Sequence, residues 1–251
     1  SNQTVIKMHK FPTWPAYSEK EASAVAKVIS SNKVNYWTGS QCKLFESEFA
    51  KYVGTKHAVA VANGTLALEL CLRAVGVKFG DEVIVTSRSF VASASCVLNV
   101  GAVPVFADVC EQSGNLTADS IAAVVTSKTR AVICVHLAGW PCDMDDIKVL
   151  SEKQNFRIIE DCAQAHGAKY KGSHVGSIGD LAAWSFCQDK IITTGGEGGM
   201  VTTNDVSLWK KVWSFKDHGK DYDEVIKPPK KVGYRWLHRF EGSNYRMMEM
   251  Q

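Results

Sequence analysis

The chain has 251 residues, 45% hydrophobic and 22% charged, which is enough apolar material for a substantial core and excludes a disordered chain. A net charge of +3 is too small to argue for a nucleic-acid partner, and no run of about eighteen or more apolar residues argues for a membrane span. The eight cysteines (Cys42, Cys71, Cys96, Cys110, Cys134, Cys142, Cys162, Cys187) show no C-x-x-C pair, and the start carries no basic-then-apolar signal, so the chain reads as a cytoplasmic protein with buried thiols and no metal site.

In chain order, Ser18 followed by Glu21 predicts a capping-box start for a helix over 19–31. A loop with aromatics at 34–39 and a helix over 43–52 follow. Strands are predicted at 57–62, 82–86, 103–107, 131–136, 157–160, 182–186 and 200–203. Helical patterns fill 66–75, 91–100, 118–125 and 147–155, and another covers 205–215. Short, apolar, β-branched strands read as buried on both faces, which predicts a mostly parallel seven-stranded sheet wrapped by helices, an α/β fold. Residues 216–231, polar and basic with Pro228-Pro229, read as an exposed excursion, and 242–251 looks like the start of a helix.

Three segments suggest chemistry. Lys190 follows a strand and precedes Thr193-Thr194 and the glycine run 195–199. A lysine held at the end of a buried strand is a candidate Schiff-base nucleophile, because desolvation favours the neutral amine; taken alone, the spacing favours a first solvated residue after the strand. Asp161 closes a short apolar strand, where open α/β sheets gather their ligands. Asn63-Gly64-Thr65 joins a strand to a helix, and a helix N-terminus with free N–H groups, a hydroxyl and no side chain at Gly64 suits a phosphate. A phosphate site, a strand-end aspartate and a lysine are the protein parts that hold pyridoxal phosphate.

The segments Asn63-Gly64-Thr65, Phe90-Val91-Ala92-Ser93, 101–108, 160–167 and Ser185-Phe186 with Lys190, Thr193-Thr194-Gly195 and Glu197-Gly198-Gly199 resemble the DegT/DnrJ/EryC1/StrS sugar aminotransferases. The resemblance runs from about Pro15 to Gln251. It implies an aspartate-aminotransferase-like (fold type I) large domain over 1–251 with an N-terminal helical segment, and a family C-terminal small domain that is absent from this chain. It implies pyridoxal 5'-phosphate as cofactor, L-glutamate and a nucleotide-linked keto-sugar as substrates, and a homodimer with shared sites. Lys190 matches the catalytic lysine and Asp161 the partner of the pyridinium nitrogen. Gln164 matches a residue near the ring oxygen, Gly64, Thr65 and Ser185 the phosphate ligands, Phe90 the stacking aromatic, and Asn244 a residue reaching the neighbouring subunit's phosphate. The glycine run has one glycine more than the commonest family form, which leaves the place of Glu197 open.

Each match has a plainer reading. Asp161 also reads as a helix cap, Gln164 as helix surface, Phe90 as core, Thr65 and Ser185 as locally satisfied hydroxyls, and Asn244 as a turn residue. His136 and His166 read as satisfied histidines beside strand ends, and His218 resembles a family loop near the sugar. Lys227, Lys230, Lys231, Arg235 and Arg239 suit a diphosphate or a solvated face. The alternative functions are a sugar dehydratase of the same fold, a catalytically silent homologue and a nicotinamide dehydrogenase. Lys190 disfavours the first, and the absence of a G-x-G-x-x-G after the first strand disfavours the last.

Overall fold

The structure, a computed structural model, describes residues 13–227 and 237–251; Pro228, Pro229, Lys230, Lys231 and Arg235 lie outside the described residues. Helix α1 (Glu19–Ser30) begins with the predicted capping box: the Ser18 side chain accepts from the Glu21 amide, and the Glu21 carboxylate accepts from the Ser18 amide at 2.6 Å. Helix α2 (Gln41–Val53) leads into β1 (His57–Val61), α3 (Gly64–Ala74), β2 (Glu82–Thr86), α4 (Ala92–Asn99) and β3 (Val103–Ala107). Then come α5 (Ala118–Ala122), β4 (Thr129–Val135), α6 (Met144–Gln154), β5 (Arg157–Asp161), β6 (Lys169–Tyr170), β7 (Ser173–His174), β8 (Leu181–Ser185), β9 (Gly199–Thr203), α7 (Val206–Lys216) and α8 (Tyr222–Val225).

Seven strands form one sheet in the order β1-β9-β8-β5-β4-β2-β3. The four pairings from β8 to β3 are parallel and β9 runs antiparallel to both neighbours, so the sheet is mostly parallel as predicted. Alternate residues of a strand face opposite sides. Val59 and Val61 join the core under α3, α4 and α7, whereas Ala58 and Ala60 pack with Phe49 and Val53 of α2. Burial on both faces holds for the central strands. It fails for edge strand β3, where Val103 and Phe106 are exposed. The hairpin β6–β7 was not predicted; its signal was Lys171-Gly172, a residue pair at positive φ of 47° and 89° between two very short strands.

Two expectations are corrected. Residues 242–251 do not start a helix: 243–246 run between 215–217 and the end of edge strand β1, with Asn244 bridging Asp217, Val61 bridging Arg246 and the Ala62 amide donating to the Tyr245 carbonyl at 2.9 Å. Pairing with an open sheet edge outweighs a short helical pattern. The start of the supposed exposed excursion is interior. Lys216 and Asp217 are fully buried, and Asp217 Oδ1 accepts from Lys220 at 2.6 Å and from Arg246 at 2.8 Å. The local polarity that suggested solvent reflects an ion network instead.

Glu160, the penultimate residue of β5, is a structural hub. It is fully buried and accepts from His136 Nε2 (2.9 Å) and from the amides of Gly176, Ile178 and Gly179 (2.7–2.8 Å). Burial pushes its carboxyl up, but the His136 bond and the Gly179 and Gly176 amides outweigh it and hold the group below the usual range. Glu160→Ala strands one imidazole N–H and three amides, and is expected to cost about 3–5 kcal/mol in urea unfolding at pH 7. A depressed carboxyl stabilises above its unfolded pKa and loses that contribution as pH falls through the folded pKa, so variant and parent should converge in acid.

Candidate active site

The carboxyl ends of β8, β5, β4 and β2 lie along one edge of the sheet, and the residues singled out from the sequence are distributed around it. β1 runs in the direction of β8, because both are antiparallel to β9. Its carboxyl end therefore delivers the start of α3 to the same edge. Asn63 caps α3: its side chain accepts from the Leu66 amide at 3.0 Å and its carbonyl from the Ala67 amide at 3.1 Å. The amides of Gly64 and Thr65 precede the first helical bond and remain donors for an anion. This turn is pressed against the strand ends. A Cβ on Gly64 would lie 2.7 Å from Ser185 Cβ, and one on Gly199 would lie 2.4 Å from the Asn63 backbone. Gly64, Thr65 and Ser185 thus converge, and glycine is required for the approach.

Asp161 ends β5 beside β8, opposite Ala183 in register. It is 7% exposed, its Oδ1 accepts from the Ala163 amide at 3.1 Å, and its Oδ2 accepts from Ser93 Oγ at 3.1 Å. Ser93 Oγ lies 2.8 Å from Ser89 Oγ. Burial pushes the Asp161 carboxyl above its ordinary range, opposed by the Ala163 amide and the Ser93 hydroxyl. No ion pair reaches Asp161 among the described residues. The sequence reading did not single out Ser89 or a role for Ser93; a serine on a helix of another βα unit carries no spacing signal that points at Asp161.

Gln164 is not on a helix surface, because 162–167 form turns. Its Oε1 accepts from the amide of Ala138, a residue at φ 52° just beyond β4. Phe90 projects from the β2–α4 loop at 68% exposure, so it is not core. Lys190 lies in the long β8–β9 loop, which is pinned by Phe186 and Gln188 amides donating to the Gly198 and Gly196 carbonyls. The Lys190 side chain is 20% exposed and its Nζ is 3.0 Å from Asp189 Oδ2. Lys190 is thus paired with a neighbouring carboxylate that is itself largely exposed. Its charge is felt by Asp161 and His166. Asn244 is exposed and bridged to Asp217.

The histidines divide. His136 accepts the Cys142 amide at Nδ1 (3.1 Å), so its proton sits on Nε2 toward Glu160. Glu160, His136 and Cys162 bring potential ligand atoms within 4.8 Å of one another, but both histidine nitrogens and both Glu160 oxygens are already engaged. His166 packs against Trp184 and Phe186, and burial lowers it to about 4, which leaves it neutral at pH 7. Among the described residues, neither nitrogen of His166 makes a hydrogen bond of good geometry, although the Ser185 backbone approaches it. His218 stands on the outer loop, its carbonyl 2.6 Å from His238 Nδ1. Of the basic stretch, Lys227 pairs with Glu224 and Arg239 with Asp221. A cleft of about 790 Å³ between α1, 38–42, 192–194 and 247–251 includes none of the site residues.

These residues fit pyridoxal phosphate. The close Gly64–Ser185 turn would offer amides and hydroxyls to a phosphate, Asp161 a buried carboxylate to a ring N–H, and Lys190 an amine. Among the described residues, no helix is long and apolar enough to cross a membrane.

A family model described as the DegT/DnrJ/EryC1/StrS aminotransferase family matches residues 15–251. GDP-perosamine synthase of Escherichia coli O157:H7 is 40% identical over 233 residues, covering 93% of this chain and 61% of that protein. GDP-perosamine synthase of Caulobacter vibrioides is 45% identical over 207 residues, covering 82% and 53%. Among solved structures, an aminotransferase from Psychrobacter cryohalolentis superposes with a TM-score of 0.94 at 60% identity, covering 96% of this chain and 61% of that one. A 3-amino-5-hydroxybenzoic acid synthase superposes at 0.87 and 34% identity, covering 96% and 61%. The chain thus spans between half and two thirds of the length of these relatives.

Proposed function

Because this chain belongs to the DegT/DnrJ/EryC1/StrS aminotransferase family, we propose that it is a pyridoxal-phosphate-dependent aminotransferase moving an amino group from glutamate to a keto group of a nucleotide-linked sugar. The product serves amino-sugar biosynthesis for surface polysaccharide, lipopolysaccharide included, or for glycosylated natural products. The observation that carries this reading is the meeting, along one sheet edge, of the Gly64–Ser185 turn and the buried Asp161, with Lys190 on the loop leaving the same strand. A large domain of fold type I, a cytoplasmic setting and a homodimer in which Asn244 reaches the partner's phosphate site belong to the same reading. The exposure of Asn244 supports the last point.

Bound pyridoxal phosphate supplies an electron sink for the carbon that bears the migrating amino group. The amides of Gly64 and Thr65, with the hydroxyls of Thr65 and Ser185, bind its phosphate at the positive end of α3. Asp161, ionised, keeps a proton on the ring nitrogen. Phe90 covers one ring face and Gln164, fixed through Ala138, orients near the ring oxygen. Lys190 Nζ, as free amine, takes the proton from the donor's α-carbon and delivers it on the opposite half-reaction. Its place on a loop lets one amine serve two neighbouring carbons.

The test is a titration of the protein with pyridoxal phosphate followed by visible absorbance, then addition of glutamate. A saturable band that glutamate bleaches is expected, and a protein that never develops the band would sink the proposal. Gly64→Val, whose side chain must displace Ser185, should weaken cofactor binding by about tenfold or more, since overpacking costs about 1–3 kcal/mol. Sedimentation at micromolar concentration addresses the dimer: a monomer would count against Asn244 acting across subunits.

A further inference from the structure

We propose that Ser93, backed by Ser89, is a positioning residue that keeps Asp161 ionised and aimed, and that the two serines couple the aspartate to the loop carrying Phe90. The inference rests on the proposed cofactor reading of this site. Ser93 is 2% exposed and sits on the first turn of α4, a helix from a different βα unit than Asp161. Its hydroxyl has one proton. With Asp161 ionised, both carboxylate oxygens only accept, so the Ser93 proton goes to Oδ2 at 3.1 Å, and Ser89, 2.8 Å away, must donate to Ser93 Oγ. The chain of hydrogen bonds then has one direction, Ser89 to Ser93 to Asp161, and each donor polarises the next.

A protonated Asp161 would need one of its oxygens to donate, and the Ala163 amide occupies Oδ1 as a donor itself. A proton on Oδ2 directed at Ser93 would require reversal of the whole serine chain. The arrangement therefore favours the carboxylate, in a place where burial works against it. Ser89 also immediately precedes Phe90, and the Ser93 amide donates to the Phe90 carbonyl at 3.1 Å. The same few residues thus tie the loop that carries the exposed aromatic ring to the buried carboxylate. A serine serving only to start α4 would need no such geometry: the helix takes no side-chain cap at this end.

The test compares the parent with Ser93→Ala, Ser93→Thr and Ser89→Ala, each checked for folding by thermal melting. The dissociation constant for pyridoxal phosphate and the pH dependence of the bound visible band are measured by titration. Ser93→Ala should bind the cofactor about tenfold to a hundredfold more weakly, as expected for losing a hydrogen bond to a charged group, and its pH profile should shift toward alkaline pH. Ser93→Thr should restore both, and Ser89→Ala should fall between. Parent-like affinity and pH profile in Ser93→Ala would overturn the inference. So would loss in Ser93→Ala that Ser93→Thr shares despite a parent-like melt, since a retained hydroxyl would then make no difference. If the parent itself fails to bind pyridoxal phosphate, the cofactor reading falls first and this inference with it.

Discussion

Lys190→Ala is expected to leave a folded protein with transamination reduced by about 10²–10⁴-fold or more, the range for removing a positioned proton-transfer group. Lys190 combines two roles in the proposed reaction, amine for the cofactor carbonyl and shuttle for the proton, so no neighbour substitutes for it. His166, the neighbouring base that feels the Lys190 charge, is buried against Trp184 and Phe186 and lowered to about 4. Folding should change little. The ion pair with Asp189 joins a carboxylate that is 66% exposed, and such pairs contribute little to stability. Single-turnover kinetics with glutamate, read beside a thermal melt, separates the two. A variant that retained more than a few per cent of parent turnover would remove Lys190 from the mechanism. Added methylamine or ethylamine restoring part of the rate would locate the loss at proton transfer.

Asp161→Asn should have the next largest effect on activity, about 10²–10³-fold, the range for deleting one preorganised electrostatic contact to developing charge. An amide is close in shape to the carboxylate: its oxygen can still accept from the Ala163 amide, while its NH2 faces Ser93 and reverses that hydrogen bond, so the loss would be of charge and hydrogen-bond direction rather than of volume. The effect on stability should have the opposite sign. Burial raises the Asp161 carboxyl above its unfolded pKa, so the ionised group opposes folding at neutral pH. That cost disappears as pH falls below the unfolded value, where the group is protonated in both states. Asp161→Asn is therefore expected to melt a few degrees higher than the parent at pH 7, with the gain fading in acid. A variant less stable at pH 7 would mean that the carboxylate is better compensated than its surroundings suggest. The pattern of lost activity and gained stability marks a residue kept for function.

The central architecture was legible because it rests on short-range pattern. The runs at 82–86, 103–107 and 157–160 are β-branched and bounded by turns, and the helices between them carry caps or apolar stripes, so strand, helix and sheet type followed without tertiary information. Ser18 and Glu21 announced their helix through a contact three residues long. Gly64, Asp161 and Lys190 stood out because each breaks the composition of the element beside it. The errors fell where a distant partner decides. Residues 242–251 are locally helix-like, yet Arg246 bridges Val61 at the end of edge strand β1 and Asn244 bridges Asp217. Lys216 and Asp217 look like solvated charges, yet Arg246, 29 positions beyond Asp217, pairs with that carboxylate inside the fold.

At the candidate site the same division applies. Residue types and their order along the chain were enough to nominate a phosphate turn, a ring-nitrogen partner and a lysine, because each role demands particular chemistry at a strand end or helix start. Local sequence could not reveal that Gly64 abuts Ser185 across 121 positions (185 − 64), or that Ser93 reaches Asp161 from another βα unit. Those facts depend on which strands become neighbours in the sheet. Strand order is chosen by burial of the whole apolar surface at once, and no window of the chain contains that sum.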